Sequence, residues 1–587
     1  MKLDFDNKTN QITIAEEENE SLLSVQDSTK YTLCFKLKNG IYRIPYIAYP
    51  IITKIIRANN FNLEIGDNLK KFHTKFLNRR KLLESLKNRE YDTSTAGLDD
   101  IVEFMNQQNA IIKKNFKEFN GFYGNQIDSI IYGIVGKRVV IANDIGTGKT
   151  LVSIVIAKYL MERLGYGKTI ILLPASLAKN FYNDYCKFYH DNQMMFVSTE
   201  SASKRSTLYQ TFKTHNNLKF LVTNYEKCRV DYERLKELEF DIIIVDEFHR
   251  MKHFKEAQMS KNFFDLAQNI WRPKAVFPMS GTPIENRLFD IYPVFKLIDD
   301  GMILGGEKFF ESNFVEFVTQ RLKLKTRFGI RIVEKQIPVG FKNHNYVKSL
   351  IAPYVIRKKL DLPAGLYTHD VMIDADKKFM AEYERVKLSY EEGTKRYHAV
   401  RQFLCDTSRE GYDDNPKFEY LENIVSQTSS KVVIFSFYKC SIRAIEKWLV
   451  EHGYKCITCM GGDGTDAFDV IRKFKDDPDM KCLITTDKIN YGHNIQFAKI
   501  VIEWEKPIKP TTSMQRIGRC YRSGQNDDVH AYSFTTLGTV EQTIHEQLEL
   551  KKDVIEKVIE SLSDGSSDTA LDDIVKDIEK KVVDSLK

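Results

Sequence analysis

The stretch from Arg138 to Leu160 constrains the fold more than any other. Val139-Val140-Ile141-Ala142 is a short apolar run, Gly146-Thr147-Gly148-Lys149-Thr150 follows it, and Leu151–Leu160 is apolar at helical spacing. Strand, glycine turn and helix in that order make one βα unit of a parallel sheet. The glycines let backbone N–H groups close round a phosphate, the Lys149 ammonium addresses the outer phosphates, and the Thr150 hydroxyl is placed to ligate Mg²⁺. The helix N-terminus adds partial positive charge at the same spot. Asp144, Ile145, Gly146, Thr147, Gly148, Lys149 and Thr150 are therefore the expected nucleotide cradle. The general pattern G-x-x-x-x-G-K-S/T has glycine where this chain has Asn143.

Such a loop needs a carboxylate delivered by another strand. Ile242-Ile243-Ile244-Val245 is a buried-strand pattern that ends on Asp246-Glu247-Phe248-His249. The C-terminal end of a parallel strand is where open α/β sheets bind ligands. Asp246 is expected to hold Mg²⁺ and Glu247 to orient or deprotonate the attacking water. Thr169–Leu173, Lys219–Thr223 and Asp241–Val245 are further near-continuous apolar runs, as a parallel sheet covered on both faces requires. A second set, Lys431–Phe437, Lys455–Thr458, Lys481–Thr485, Ile500–Trp504 and Val529–Phe534, predicts a second α/β lobe.

These patterns divide the chain into an accessory region (1–118), a first lobe (119–300), a mixed, mostly helical insertion (301–427), a second lobe (428–560) and an acidic tail (561–587). In the accessory region Tyr31–Leu37 and Ile41–Ile44 flank an Asn39-Gly40 hairpin turn. Tyr49–Asn60 turns helical, Lys70–Arg89 is a basic amphipathic helix, and Tyr91–Gly97 is a linker. This gives an α/β chain of two parallel-sheet lobes with a helical insertion and a small α+β N-terminal region.

Net charge is only +7, but between Tyr31 and Glu90 there are 13 Lys/Arg against 4 Asp/Glu. Lys71, Lys75, Arg79 and Arg80 are the candidate contacts to a polyanion in this region; a solvated helix docked on the first lobe is the other reading. No apolar run reaches about 18 residues, so a membrane span is not expected. The N-terminus is polar and acidic, and nine scattered cysteines suit a reducing compartment. Secretion is not expected; a cytoplasm (bacterial or virus-infected) or a nucleus is. Cys456-Ile457-Thr458-Cys459 has no second ligand pair and reads as structural.

Taken with these blocks, the chain resembles the Swi/Snf-type ATPases of the superfamily 2 helicases, from about Gly121 to Lys557. Asp246-Glu247-Phe248-His249 is similar to the DEAH box. Gln126 stands in a block like the glutamine motif that reads adenine. Leu173-Pro174-Ala175-Ser176-Leu177 with Asn180-Phe181 resembles the P-x-S-L-x-x-N-W block, and Thr223-Asn224-Tyr225-Glu226 the T-x-Y-E block. Ser280-Gly281-Thr282-Pro283-Ile284-Glu285-Asn286 resembles G-T-P-I-x-N, and Ile356-Arg357-Lys358 with Leu362-Pro363 the element between lobes. In the second lobe Phe435-Ser436, Gly492-His493-Asn494 and Gly538-Thr539-Val540-Glu541 fall in family order. Gln515 through Arg519 and Arg522 to Gln525 follows the Q-x-x-x-R-x-x-R-x-G-Q spacing. Glu503-Trp504-Glu505-Lys506-Pro507 departs from the usual W-N-P.

The resemblance implies two RecA-like lobes with ATP and Mg²⁺ between them. Gln126, Gly492 and Gln515 join the nucleotide site, Arg519 and Arg522 act as fingers on the transferring phosphoryl group, and Pro174, Ser176, Asn180 and Thr223 contact nucleic acid. The implied activity is that of a monomeric nucleic-acid-stimulated ATPase that translocates on duplex or branched DNA, with a replication, recombination or transcription protein as partner. An RNA-directed or transcription-associated ATPase is the alternative. A binding scaffold without catalysis is a third reading, against which Lys149, Asp246, Glu247, Arg519 and Arg522 all stand.

Overall fold

Runs of consecutive β-branched and apolar residues leave no face of a strand suited to water, and here they form the centres of two parallel sheets. The computed structural model describes residues 1–7, 9–15, 36–38, 41–89, 98–251, 257–281, 291–299, 301–326, 329–342, 344–360, 362–391, 393–412, 414–461, 466–489 and 495–549. Two compact units result: Met1–Asn143 with Lys149–Lys358, and Asp144–Gly148 with Lys359–Val554.

The first unit contains a seven-stranded sheet. Its strand order is Val355–Ile356, Val140–Ile141, Ala275–Met279, Ile242–Asp246, Thr169–Leu173, Phe220–Asn224 and Met194–Val197, with every pairing parallel. Thr169–Leu173, Phe220–Asn224 and Ala275–Met279 are buried at every position, as strands covered on both faces should be. The helix Lys149–Glu162 is buried from Leu151 to Leu160; such an all-round apolar helix belongs inside a domain. It crosses the helix Gly124–Gly136 so closely that a Cβ on Gly133 would meet Ile156 Cδ1 at 2.4 Å.

The N-terminal region has its own five-stranded sheet, ordered Lys36–Lys38, Ile41–Pro45, Gln11–Ala15, Lys2–Asp6 and Glu64–Ile65. Lys36–Lys38 and Ile41–Pro45 are the expected hairpin; Tyr31–Phe35, the Asn39-Gly40 turn and the Tyr91–Gly97 linker lie outside the described residues. Packing joins the residues on the two sides of 118. One hydrophobic core runs without a break from Met1 to Ile356. The basic helix Asp67–Asn88 is clamped to the lobe: Arg79 Nη2 donates to Gly136 O and Arg138 O, both at 3.1 Å, and its guanidinium stacks over Tyr354. Arg80 Nη2 donates to Ser349 O at 2.7 Å and Lys87 Nζ to Ala352 O at 2.8 Å. Just beyond the helix, Arg89 pairs with Asp128 at 2.7 Å.

The segment 301–427 is also more varied than its helical expectation. It contains an antiparallel pair of long strands, Val315–Thr326 and Gly329–Phe341. It also gives an edge strand to each sheet, Val355–Ile356 to the first and Leu366–Ile373 to the second. The second unit's sheet is parallel throughout, in the order Leu366–Ile373, Val529–Thr536, Ile500–Glu503, Val432–Phe435, Cys482–Thr485 and Cys456–Cys459. Cys456 packs into the cluster on one face of this sheet and Cys459 into the cluster on the other, so the two thiols serve as core residues. Among the described residues no helix is long and apolar enough to cross a membrane.

Candidate ATP site

Three neighbouring strands of the first sheet carry the chemistry to one rim. Val140–Ile141 leads into the glycine loop, Ile242–Asp246 ends on the acidic pair, and Ala275–Met279 between them ends next to Ser280, whose N–H donates to Ile141 O at 3.2 Å. Lys149 Nζ donates to Asn143 O at 2.8 Å. Asn143, the departure from the glycine pattern, is 1% exposed and has a structural task. Its Nδ2 donates to Ser129 Oγ at 2.8 Å and its Oδ1 accepts from Lys358 N at 3.1 Å. It thereby ties the loop entrance to the glutamine-motif helix and to the edge of the sheet.

Gly146 and Gly148 have φ of +86° and +80°, a region costly for any residue with a Cβ. At Gly146 there is also no room, because a Cβ would lie 2.7 Å from Arg522 Cβ. The stretch Asp144–Gly148 belongs to the second compact unit. There Ser523 N and Oγ donate to Gly146 O at 3.3 and 2.6 Å. Thr147 is buried with Oγ1 donating to Asp144 O at 2.8 Å. Ile145 lies under the end of the helix Pro510–Ile517, where a Cβ on Gly518 would meet its Cγ2 at 2.8 Å.

The acidic pair is largely buried and its two members are driven apart. Burial and the adjacent Glu247 charge push the Asp246 carboxyl up to about 7, although Lys149 pulls the other way. Burial also raises Glu247, but His249, Lys149 and Ser280 outweigh it and hold it down to about 2. Ser280 Oγ donates to Glu247 Oε2 at 3.2 Å, and His249 Nδ1 lies 3.3 Å from that oxygen and 3.3 Å from Ser280 Oγ. Glu247 has φ +51°, an uncommon conformation for a side-chain-bearing residue that marks a site held by its surroundings. Tyr225 OH donates to Asp246 O and fixes the strand end from the neighbouring T-x-Y-E block. Ser280, Tyr225 and Asn143 are the site residues to which motif reading gave no role, because their roles depend on strand neighbours far away in sequence.

Gln126 is buried, and its Oε1 accepts from Tyr123 N at 3.1 Å in a reciprocal cap of its helix. In the second unit Arg519 is 8% exposed, with Nε donating to Gln515 O at 3.2 Å. Gln525 organises the turn that follows Arg522: Nε2 donates to Gln496 O and Cys520 O, and Oε1 accepts from Asn526 N and Asp527 N. Gly492 and the block Thr282–Asn286 lie outside the described residues, as does the Ser176 side chain.

The proposed nucleic-acid residues divide. Pro174 precedes the helix Ala175–Phe188, in which Asn180 is buried with no partner for Nδ2 among the described residues. Thr223 is fully buried and its Oγ1 donates to Val197 O at 2.8 Å, a bond that braces the sheet. Arg79 and Arg80 are engaged with backbone carbonyls of the lobe, while Lys71 and Lys75 are exposed.

Residues 68–360 match the model of the SNF2-related domain and residues 416–524 that of the helicase conserved C-terminal domain. The chain belongs to the SNF2 family of superfamily 2 helicases. As in that family, its two parallel sheets are RecA-like lobes, and it is an ATP-dependent motor, a hydrolase acting on ATP. This SNF2 motor is 23% identical over 449 residues to the uncharacterized ATP-dependent helicase YqhH of Bacillus subtilis, covering 71% of this chain and 76% of that protein. It is 23% identical over 482 residues to the DNA repair and recombination protein RAD54 of Saccharomyces cerevisiae, covering 70% of this chain but only 52% of RAD54. A solved SWI2/SNF2 ATPase core of Sulfolobus solfataricus in complex with dsDNA aligns over 76% of this chain and 94% of that one, with 20% identity and a TM-score of 0.36. The SNF2 domain match begins at residue 68, in line with the docking of the helix Asp67–Asn88 on the first lobe.

Proposed function

We propose that this SNF2 motor is a double-stranded DNA translocase that remodels DNA structures or protein–DNA complexes in replication, recombination or repair. The carrying observation is the convergence of Lys149, Asp246, Glu247 and Ser280 on one sheet rim, with the acidic pair separated in proton affinity. Pairs of titratable groups pushed apart by their surroundings are a signature of assigned acid and base roles. Glu247, kept ionised, orients and deprotonates the water that attacks the terminal phosphate. Lys149 neutralises the outer phosphates, and Arg519 and Arg522 stabilise the charge that develops in the transition state.

The buried Asp246 carboxyl, raised by the charge beside it, fits a divalent cation. Thr150 and Asp246 would hold Mg²⁺, which supplies charge neutralisation of the phosphates when bound. Relatives named for DNA repair and recombination favour DNA as the track. Hydrolysis then drives stepwise movement along it without obligatory strand separation.

The test is ATP turnover with no polymer and with single-stranded DNA, duplex DNA, branched DNA or RNA, combined with displacement of a triplex-forming strand. Duplex or branched DNA should stimulate most, and triplex displacement should need ATP. Stimulation by RNA alone would overturn the DNA reading, and absence of turnover with every polymer would leave a binding scaffold.

A further inference from the structure

We propose that the outer face of the helix Asp67–Asn88 is a duplex-DNA contact, an inference that rests on the DNA reading above. The helix has seven Lys/Arg against two acids, and folding divides the cations. Arg79, Arg80 and Lys87 are engaged with backbone carbonyls of the first lobe. Lys70, Lys71, Lys75 and Lys81 stay exposed. The inner face is anchored: Leu69 and Leu83 are fully buried, and the Phe72 ring stacks on Phe5 at 3.8 Å and 14°. The Phe76 ring lies 4.9 Å from Tyr46 and 6.3 Å from Tyr354. The exposed lysines are thus held on a fixed helix before any ligand arrives.

At about 100° per residue, Lys70, Lys81, Thr74, Asn78, Lys71 and Lys75 fall in that order within about 140° of arc, and all six are exposed. One acid shares the arc, Asp67 in the first turn, 3.4 Å from Lys70 Nζ. Glu84, on the flank, pairs with Arg80 at 3.1 Å. Among the described residues Lys71, Lys75 and Lys81 have no ion-pair partner. Like charges at i and i+4, as in Lys71 and Lys75, disfavour a helix, and a polyanion laid along this face removes that cost. From Lys70 to Lys81 the helix rises about 17 Å, a length over which duplex DNA carries about ten phosphates. Two features favour a duplex over other polyanions. Single-strand sites stack bases on aromatic rings, but Phe72 and Phe76 are packed on the inner face. Membrane-surface helices bury an apolar face in lipid, but the outer arc holds a single apolar residue, Leu82.

The experiment uses the full chain and fluorescence anisotropy on a labelled duplex without nucleotide, over a range of salt concentrations. In the combined variant Lys71→Ala, Lys75→Ala and Lys81→Ala, the slope of log affinity against log salt should become shallower by about 0.9 for each phosphate no longer neutralised, up to about 2.7. In Thr74→Lys combined with Asn78→Lys, the slope should steepen by up to about 1.8 and binding should tighten at low salt. A folding defect would not produce that gain. Unchanged affinity and slope in the triple variant, or no tightening in the double variant, overturns the proposal for the helix while leaving the motor reading intact. Single-stranded DNA and vesicles of phosphatidylcholine with phosphatidylserine serve as the other polyanions. A loss in the triple variant confined to either of these overturns the assignment to a duplex. A wild-type chain that neither binds duplex nor is stimulated by it overturns both readings.

Discussion

The two parallel sheets handle charge in opposite ways. At the rim of the seven-stranded sheet, Lys149, Asp246 and Glu247 gather, and the Asn143 carbonyl accepts from the lysine. In the six-stranded sheet the charges are turned on one another. Lys417, fully buried, donates to Glu541 Oε1 at 2.6 Å and to Trp504 O at 2.9 Å. Arg516, 1% exposed, donates to Asp487 Oδ1 at 2.8 Å, Glu503 Oε1 at 3.4 Å and Glu505 O at 3.3 Å. Glu503 Oε2 accepts from Ser513 Oγ and Ser533 Oγ, and Glu505 accepts from Ser436 Oγ and Phe437 N. The first arrangement gathers charge at one strand end. The second uses charge to fix the helix and turn that carry Arg519 and Arg522. The departure Glu503-Trp504-Glu505-Lys506-Pro507 thus has an internal role: the Glu503 carboxylate and the Glu505 carbonyl accept from Arg516, and the Glu505 carboxylate from Ser436 and Phe437.

If this division is right, rim substitutions cost rate and leave stability, while network substitutions cost stability first. The largest effect belongs to Lys149→Ala and Arg522→Ala. Each should lower steady-state turnover by on the order of 10³-fold or more, about 4 kcal/mol of transition-state stabilisation, with urea midpoints close to wild type. Arg522→Ala should still bind ATP, as equilibrium titration with a fluorescent analogue would show. Normal turnover in Arg522→Ala removes the finger assignment. Glu541→Ala should cost about 3–5 kcal/mol in denaturant unfolding, since it leaves the Lys417 ammonium buried without its carboxylate; a loss below about 1 kcal/mol would break the comparison. Arg79→Ala should cost about 1–3 kcal/mol by stranding the carbonyls of Gly136 and Arg138, with little change in the salt dependence of DNA binding.

The smallest effect is a pH dependence. Burial raises the Asp191 carboxyl, but the Lys158 ammonium at 2.9 Å, Tyr185 OH at 2.7 Å and Gln193 N at 3.2 Å outweigh it and leave it below the usual 3.8. Its contribution to stability is therefore present above about pH 4 and fades as pH falls through and below that value. Asp191→Asn should be less stable than wild type at pH 7 and should lose less on going from pH 5 to pH 3. An identical acid profile in the two proteins would exclude Asp191 as a source of acid sensitivity.

Several elements were legible from the sequence because their signal is local. Thr169–Leu173 is a strand over the residues its apolar run marks, and the apolar run Leu151–Leu160 is the buried stretch of a helix that starts at Lys149. Other elements gave no such signal. The edge strand Leu366–Ile373 is mostly exposed and has no apolar run, and Val355–Ile356 is only two residues long. Both are strands because a neighbour offers them a ladder. The long ribbon alternates Lys and Arg with Leu and Ile in a segment that otherwise reads as helical.

Residue types at short spacing were enough to specify the phosphate loop, the acidic strand end, the two sets of parallel strands and the order of the SNF2 blocks, because chain geometry converts such spacing directly into structure. Folding in three dimensions was needed to make Asn143 a strut and Thr223 a brace of the sheet. It also assigned Arg79 to the lobe and brought Ser280 and Tyr225 to the site. Each of those outcomes depends on a hydrogen-bond partner distant in sequence, and a buried polar group takes its role from the partner that satisfies it.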